Sequence, residues 1–324
     1  MINRPSLEKK RKFAIELQKQ REVIIAKHIP IAKKVYKHII KDIINNYKLK
    51  QPIKNIIDNY KAEISLMITN IYRDSYKKFA RHFRNNIAKE DKKSQFKNLY
   101  YEIKNDTNDI QFELSLEKAL KQYANIHSDY ILNTFYNDFS RYEKLAFLTF
   151  AKQYNEQMNE LSILNNSSNS IFGNFFLRNK INKLTQDIQD NYKNRESKIT
   201  DILGQALEEN VLQQRAEAVA TQETLFSESF TRQKEAEYIS QTNKSEVLKE
   251  WNSIFKETTR LTHAEASGQI KKVNELFLVK NPKTFANEYG LEPKDENFSL
   301  ENKINCYCFI IYFLEEKDEK RGFR

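Results

Sequence analysis

The sequence predicts a mainly α-helical protein: a long N-terminal helical domain followed by a small α+β domain with a few short strands. Only 5 Gly and 5 Pro occur among 324 residues, while 30% of the residues are charged and 40% are hydrophobic. Gly and Pro punctuate turns, so their scarcity favours long helices over a many-stranded sandwich or barrel. A chain of this length holds enough apolar material for one or two domains.

The first two predicted helices cover residues 6–28 and 31–47, with Pro30 marking a break between them. In the second helix, apolar residues recur every four positions and form a wide stripe. Three lysines form a row on another side of it: Lys33, Lys37 and Lys41. The row predicts a contact with nucleic acid or with an acidic protein. The alternative is a solvated lysine face on an ordinary bundle helix.

Charge is unevenly distributed along the chain. Residues 1–100 hold 25 Lys or Arg against 9 Asp or Glu, whereas the formal net charge of the whole chain is +10. The remainder is therefore mildly acidic. A basic arm joined to an acidic body is typical of a chain that touches a polyanion or an acidic partner at one end.

Helical periodicity resumes after Pro52 and continues to about residue 164, with many aromatic side chains. Their spacing of mainly three and four positions favours packing inside a helical bundle. The alternative is a stacking platform for single-stranded nucleic acid, because Arg and Lys lie between the aromatics around Tyr76.

An Asn- and Ser-rich stretch at 165–174 predicts a linker. We therefore expect a basic helical domain over residues 1–164 and a second, α+β domain over residues 175–314. A charged tail at 315–324 ends the chain.

The second domain is predicted to begin with helices and to end with strands. Helical patterning covers residues 176–195, 197–240 and 244–260, the last helix carrying Trp251. We expect Gly268 to supply a positive φ at a helix-to-strand turn. Apolar and β-branched residues then predict one or two strands up to Val279 and another at 304–314, with a loop between them.

Both cysteines of the chain, Cys306 and Cys308, fall in the last predicted strand. There they would point to one face about 7 Å apart, and with His263 they would offer three ligands that suit zinc. In one alternative the cysteines pack as small apolar residues. In another, a Cys–His pair acts as a nucleophile.

The motifs of common enzymes do not occur in the sequence. It contains no Walker A loop, dinucleotide fingerprint, nucleophile elbow or His-Glu-x-x-His motif, so we expect no ordinary enzyme and no small-molecule substrate. It also contains no signal peptide and no apolar run of roughly 20 residues, so we expect no membrane contact.

An ordered set of widely spaced residues resembles the phage Mu F-like family of minor head proteins, also called phage head morphogenesis proteins. Arg215 and Glu223 open the set on one face of a helix, where each meets the other or a separate partner. The full set is Arg215, Glu223, Trp251, Arg260, His263, Gly268, Gln269, Phe277, Asn305, Cys306 and Cys308. The resemblance covers about residues 190–310, and Ser267 and Tyr307 depart from the family pattern.

The resemblance implies a low-copy structural protein of a tailed phage or prophage. It would be made in the host bacterial cytoplasm and reside in the head interior, with portal and capsid proteins, and packaged DNA, as partners. The family is not established as enzymatic, but its domain also occurs with toxin domains. The alternative function is therefore a metal- or Cys-dependent effector with a site at His263, Cys306 and Cys308, for which zinc would be the cofactor.

Overall fold

Long helices followed by a small antiparallel β region make up this protein, which confirms the predicted fold class. The computed structural model describes residues 6–47, 52–90, 107–168, 175–243, 246–254 and 259–314. None of the helices in these ranges is long and apolar enough to cross a membrane. The predicted tail at 315–324 lies outside the described residues.

The helices that precede the first strand are α1 (Leu7–Tyr47), α2 (Ile53–Asp58), α3 (Lys61–Glu90), α4 (Thr107–Ser168), α5 (Phe175–Lys193), α6 (Arg195–Leu207) and α7 (Gln213–Asn243). A π-helical turn, Glu208–Leu212, joins α6 to α7. The strands are β1 (Val247–Asn252), β2 (Ile270–Lys272), β3 (Phe277–Lys280), β4 (Asn287–Gly290) and β5 (Phe309–Leu314). Two short helices lie among them: α8 (Leu261–Ala266) and α9 (Leu300–Lys303).

Helix α1 is continuous across Pro30, where the sequence predicts a break. A proline inside a helix removes one hydrogen bond and costs about 3 kcal/mol. Burial on both sides offsets this cost, because Leu17 and Ile24 before the proline and Val35 and Ile39 after it are at most 6% exposed. The predicted boundary at Pro30 is therefore wrong.

The chain divides into two compact units whose segments alternate along the sequence. The first unit comprises Met1–Pro30, Ser65–Ile126 and Glu217–Arg324, and the second comprises Ile31–Ile64 and His127–Ala216. The sequence instead suggests consecutive domains.

The predicted linker at 165–174 falls partly inside a helix. Helix α4 continues to Ser168, and residues 169–174 lie outside the described part of the chain. A domain boundary at this stretch stays a prediction.

The second unit is helical, and aromatic side chains help to form its core. The rings of Tyr36 and Phe135 stack with centroids 5.6 Å apart, and those of Tyr47 and Phe139 meet edge to face at 6.2 Å. In the first unit, Phe79 is fully buried. The interpretation of such aromatics as core residues is confirmed for these positions.

The first unit contains both small sheets. Strand β1 is central in a three-stranded antiparallel sheet of order β2-β1-β5, with Trp251 opposite Ile310. Strands β3 and β4 form a separate antiparallel pair. The strands predicted between Gly268 and Val279 are confirmed as β2 and β3, whereas the stretch predicted as a loop after them contains β4 and α9.

Helices of the first unit cover both faces of the three-stranded sheet. On one face, Trp251 and Ile310 pack with Phe83 of α3 and Ala236 of α7. The side chains that form the core on the other face are Leu248, Phe309, Ile311 and Phe313 from the sheet, Leu17 and Ile24 from α1, and Phe79 from α3. Residues far apart in the sequence therefore share one core.

Residues 244–260 are predicted as a helix, but Val247–Asn252 is strand β1. All six residues of this strand are buried, including two charged ones. Lys249 Nζ donates to the carbonyl oxygen of Leu291 at 2.8 Å, and Lys10 Nζ lies 2.5 Å from Oε1 of Glu250. A strand buried on both faces lacks the polar–apolar alternation of a half-exposed one, which explains the wrong prediction.

Candidate metal centre

Two segments of the first unit bring His263, Cys306 and Cys308 together. His263 lies on α8, and the two cysteines lie between α9 and β5. All three side chains are buried, and their potential ligand atoms lie within 4.8 Å of one another. The sequence-predicted trio is therefore assembled, and we call it the HCC cluster.

The two sulfur atoms are equally distant from one imidazole nitrogen. His263 Nδ1 lies 3.4 Å from Cys306 Sγ and 3.4 Å from Cys308 Sγ. The cysteines precede strand β5 and are not part of it, which corrects the prediction of a strand over residues 304–314. Asn305 adopts a positive φ of 52° directly before Cys306, so the backbone turns here.

Asn302 determines which nitrogen of His263 faces the thiols. His263 Nε2 lies 2.9 Å from Oδ1 of Asn302. The amide nitrogen of Asn302 donates to Oε2 of Glu288 at 2.8 Å and to the carbonyl oxygen of Lys280 at 3.3 Å, which fixes the amide orientation. Because Oδ1 only accepts hydrogen bonds, Nε2 carries the proton and the lone pair of Nδ1 points to the sulfurs.

Glu288 in turn is held as a carboxylate. Burial raises its pKa, but hydrogen bonds from Asn281, Ser299 and Asn302 outweigh this effect and leave the pKa below its ordinary value. A charged acceptor strengthens the hydrogen bond that orients the Asn302 amide.

The pKa values of the two thiols are shifted in opposite directions. A hydrogen bond from Cys308 lowers the pKa of the Cys306 thiol well below its ordinary value, with the positive charge of Lys294 adding to the effect and burial opposing it. The same contact and burial raise the pKa of Cys308 well above its ordinary value. Cys306 is therefore the more acidic thiol of the pair.

Two side chains with polar hydrogens, Ser253 and Trp251, lie near Cys308. Ser253 Oγ lies 3.6 Å from Cys308 Sγ and donates its own hydrogen to the carbonyl oxygen of His263 at 2.6 Å. Nε1 of the buried Trp251 has no hydrogen-bond partner among the described residues. Trp251 also meets the His263 ring edge to face, with centroids 6.1 Å apart.

A small cleft of about 30 Å³ adjoins the cluster. It is lined by Ile254, Thr259, Arg260, Asn305 and Tyr307 together with the three cluster residues. This volume matches roughly one water molecule, about 30 Å³ in the liquid. The cleft formed by the described residues can therefore hold a water molecule beside the cluster.

Lys294 lies next to the cluster with its charge enclosed by protein. Burial lowers its pKa to about 8, although the negative charge of Cys306 acts in the opposite direction. Its Nζ donates to Oε1 of Gln222 at 2.5 Å and to the carbonyl oxygen of Lys303 at 2.9 Å. The lysine thus supplies positive potential at Cys306 from a fixed position.

The remaining motif residues between Trp251 and Asn305 hold the backbone around this cluster. Gly268 has a φ of 87° in the turn from α8 to β2, which confirms the prediction for it. Gln269 exchanges two hydrogen bonds with the backbone of Leu278, at 2.7 and 3.2 Å. Phe277 is fully buried, with its ring centroid 5.4 Å from that of Trp251. Arg260 donates to the carbonyl oxygen of Ile304.

Arg215 and Glu223 do not bond to each other. Arg215 Nε donates to Oδ2 of Asp138 at 2.5 Å in the second unit. Glu223 accepts a hydrogen bond from the buried hydroxyl of Tyr72 in the first unit. The sequence allowed either a mutual pair or separate partners, and the structure shows separate partners.

The lysine row lies on α1 within the second unit. Lys37 and Lys41 are exposed and Lys33 is half-buried. They are not part of the HCC cluster.

Sequence reasoning missed Asn302, Ser253 and Lys294. A buried Asn that orients a histidine has no sequence signature, because Asn is common in turns of every kind. Ser253 follows a strand that the sequence did not predict.

Comparisons with family models, with curated proteins and with solved structures find no match to this chain.

Proposed function

We propose that this chain is a minor head protein of a tailed phage or prophage, of the phage Mu F-like type. The supporting observation is that the motif residues from Trp251 to Cys308 form one structural centre. Trp251 and Phe277 fill its core, Gly268 makes its turn and His263 joins the two cysteines. When the residues of a family motif pack together in this way, the motif specifies a shared fold, as expected for a structural protein.

In this proposal, the partners are portal and capsid proteins in the head interior, and packaged DNA contacts the basic region. The lysine row on α1 offers charge for such a contact: Lys33, Lys37 and Lys41. Lysines act on phosphates without reading sequence, so the contact would be non-specific and salt-dependent.

Mass spectrometry of head particles from a strain that carries the gene tests the main proposal. We expect peptides of this chain in purified heads at low copy relative to the major capsid protein, and defective heads after deletion of the gene. Particles that lack the chain and assemble normally without it would contradict the proposal.

DNA binding is tested separately with the full-length chain in a salt titration. The test variant replaces the lysine row with glutamine: Lys33→Gln, Lys37→Gln and Lys41→Gln together. The slope of log affinity against log salt concentration should become shallower, by an amount that corresponds to up to about three phosphate contacts. The matched control changes exposed lysines elsewhere: Lys118→Gln, Lys121→Gln and Lys152→Gln. Equal losses in both variants, or no binding by the parent chain, would reject the DNA contact.

A metal- or Cys-dependent effector is the second candidate, and the assembly of the HCC cluster is the observation that favours it. An effector should harm a recipient cell, and Cys306→Ser should abolish the harm. A chain that has no effect on cells but is found in heads would reject this candidate.

A further inference from the structure

We propose that the HCC cluster binds one Zn²⁺ ion through Nδ1 of His263 and the sulfurs of Cys306 and Cys308. A water molecule in the adjoining cleft would complete a four-coordinate site. The ion would act as a structural clamp between α8 and the segment that leads into β5. The inference rests on the geometry of the cluster and is independent of the proposed head function.

The distances from Nδ1 of His263 to the two sulfurs fit a tetrahedral zinc site. Zinc lies about 2.0 Å from an imidazole nitrogen and about 2.3 Å from a thiolate sulfur, so tetrahedral angles separate nitrogen from sulfur by about 3.5 Å. The two observed separations from Nδ1 of His263 are both 3.4 Å. Both sulfurs are therefore already near the distances that a shared ion would impose.

Hydrogen bonding alone does not account for the equal distances in the cluster. Nδ1 of His263 has one lone pair and accepts one hydrogen bond well, yet two thiols lie at the same distance from it. Ser253 has already committed its single hydrogen to the carbonyl oxygen of His263. A metal resolves this arrangement, because it takes the lone pair and both thiolates at once.

The surroundings of the cluster match those of metal ligands. Ligating histidines usually donate their second ring N–H to an acceptor, which fixes the tautomer and orients the ring. Asn302 fills this role for His263 and is itself held by Glu288. Beside Cys308, the otherwise unpartnered N–H of Trp251 is a group that can donate to a thiolate.

Charge balance also favours a divalent ion over a protonated cluster. Two thiolates and a neutral imidazole neutralise Zn²⁺, so the loaded site buries no net charge of its own. Imidazole and thiolate are donors that zinc prefers, whereas calcium and magnesium require oxygen ligands. The mixed imidazole–thiolate set thus favours zinc, with cobalt as a spectroscopic substitute.

The ion would cross-link residues that are distant in sequence. His263 and Cys306 are 43 residues apart, with β2, β3, β4 and α9 between them. Closing such a loop restricts the unfolded chain, and a ligand that binds only the folded state stabilises it. This cross-link is the basis of the structural role proposed for the ion.

Elemental analysis of the full-length chain, purified under reducing conditions, tests the proposal. We expect close to one zinc per chain in the parent protein, and close to none in Cys306→Ser and in Cys308→Ser. His38→Gln is the matched control, because His38 is an exposed histidine in the second unit and should leave the zinc content unchanged.

Cobalt titration of the metal-free parent chain provides a second measurement that needs no variant. Binding through two thiolates should produce sulfur-to-cobalt charge-transfer bands together with the visible bands of a tetrahedral site, and added zinc should remove them. A chelator should lower the Tm of the parent chain and leave the Tm of Cys306→Ser unchanged.

Two results would overturn the proposal. One is a metal-free parent chain that has a folded circular dichroism spectrum but takes up neither zinc nor cobalt at micromolar concentrations. The other is a disulfide between Cys306 and Cys308 in protein purified without reductant, because oxidised sulfurs do not ligate zinc.

Discussion

Asn302 accepts a hydrogen bond from Nε2 of His263 across 2.9 Å, and this contact decides the chemistry of the HCC cluster. It leaves Nδ1 unprotonated between two sulfur atoms. A residue that the sequence does not mark therefore gives the predicted trio the free lone pair that the proposed zinc site requires.

The first prediction concerns Asn302→Leu. The variant loses the acceptor that orients His263, so we expect the zinc Kd to rise by about 10- to 100-fold, measured by competition with a chromogenic chelator. Saturating zinc should still give one ion per chain, which separates weaker binding from unfolding. Asn297→Leu, at an exposed asparagine, is the control. An unchanged Kd for Asn302→Leu would show that the contact does not prepare the imidazole for a metal.

The second prediction concerns the buried charge network of Glu228 with Arg21 and Arg232. Oε2 of Glu228 lies 2.5 Å from Nε of Arg21, and Oε1 lies 3.2 Å from Nη1 of Arg232. Glu228→Gln leaves two buried guanidinium groups without their carboxylate, so we expect a loss of roughly 3–5 kcal/mol in the free energy of unfolding. Chemical denaturation measures it.

The matched control for Glu228 is Glu117→Gln. Glu117 is exposed, and its pair with Lys121 at 3.3 Å should contribute no more than about 0.5 kcal/mol. Similar losses in the two variants would mean that burial of the Glu228 network does not determine its effect.

The third prediction compares two glycines whose substitution by alanine should change the stability in opposite directions. Gly268→Ala places a Cβ at a φ of 87° and should reduce stability by about 1–2 kcal/mol. Gly204 lies inside α6, where an added Cβ meets Ile44 at an ordinary 3.5 Å, so Gly204→Ala should increase stability by roughly 0.5–1 kcal/mol. Thermal and denaturant unfolding measure both. A stabilising Gly268→Ala would contradict the assigned turn.

The fourth prediction concerns the pH dependence produced by Lys249. Burial lowers the pKa of this lysine from 10.5 to about 8, while Glu292 and Glu237 act in the opposite direction. At a pH between about 8 and 10.5, Lys249 holds its proton more often in the unfolded chain than in the folded chain. Stability therefore rises as the pH increases through this window. Lys249→Met should remove this contribution.

Denaturant titrations of the parent chain and of Lys249→Met across that window check the prediction. The parent chain should gain stability more steeply with pH than the variant does. Lys121→Met is the control, because Lys121 is exposed and should retain the parent slope. Parallel profiles for all three proteins would mean that Lys249 keeps an ordinary pKa in the fold.

Helix content and the short strands after Gly268 follow from local signals in the sequence. Scarce Gly and Pro, together with apolar residues three and four positions apart, specify helices wherever tertiary contacts do not oppose them. Gly268 was predictable because few other residues tolerate its φ. His263, Cys306 and Cys308 were predictable as candidates because their side-chain chemistry is rare in this chain.

Long-range packing decided the rest. Strand β1 contains Lys249 and Glu250 and resembles a helix locally, but groups distant in sequence bond to both side chains inside the core. Burial on both sides of Pro30 keeps α1 continuous, against the local preference for a break. The sequence by itself determined a helical protein and three candidate ligands. Only the tertiary structure brought those ligands together and fixed the tautomer of His263, because contacts between distant residues leave no periodic signal in the chain.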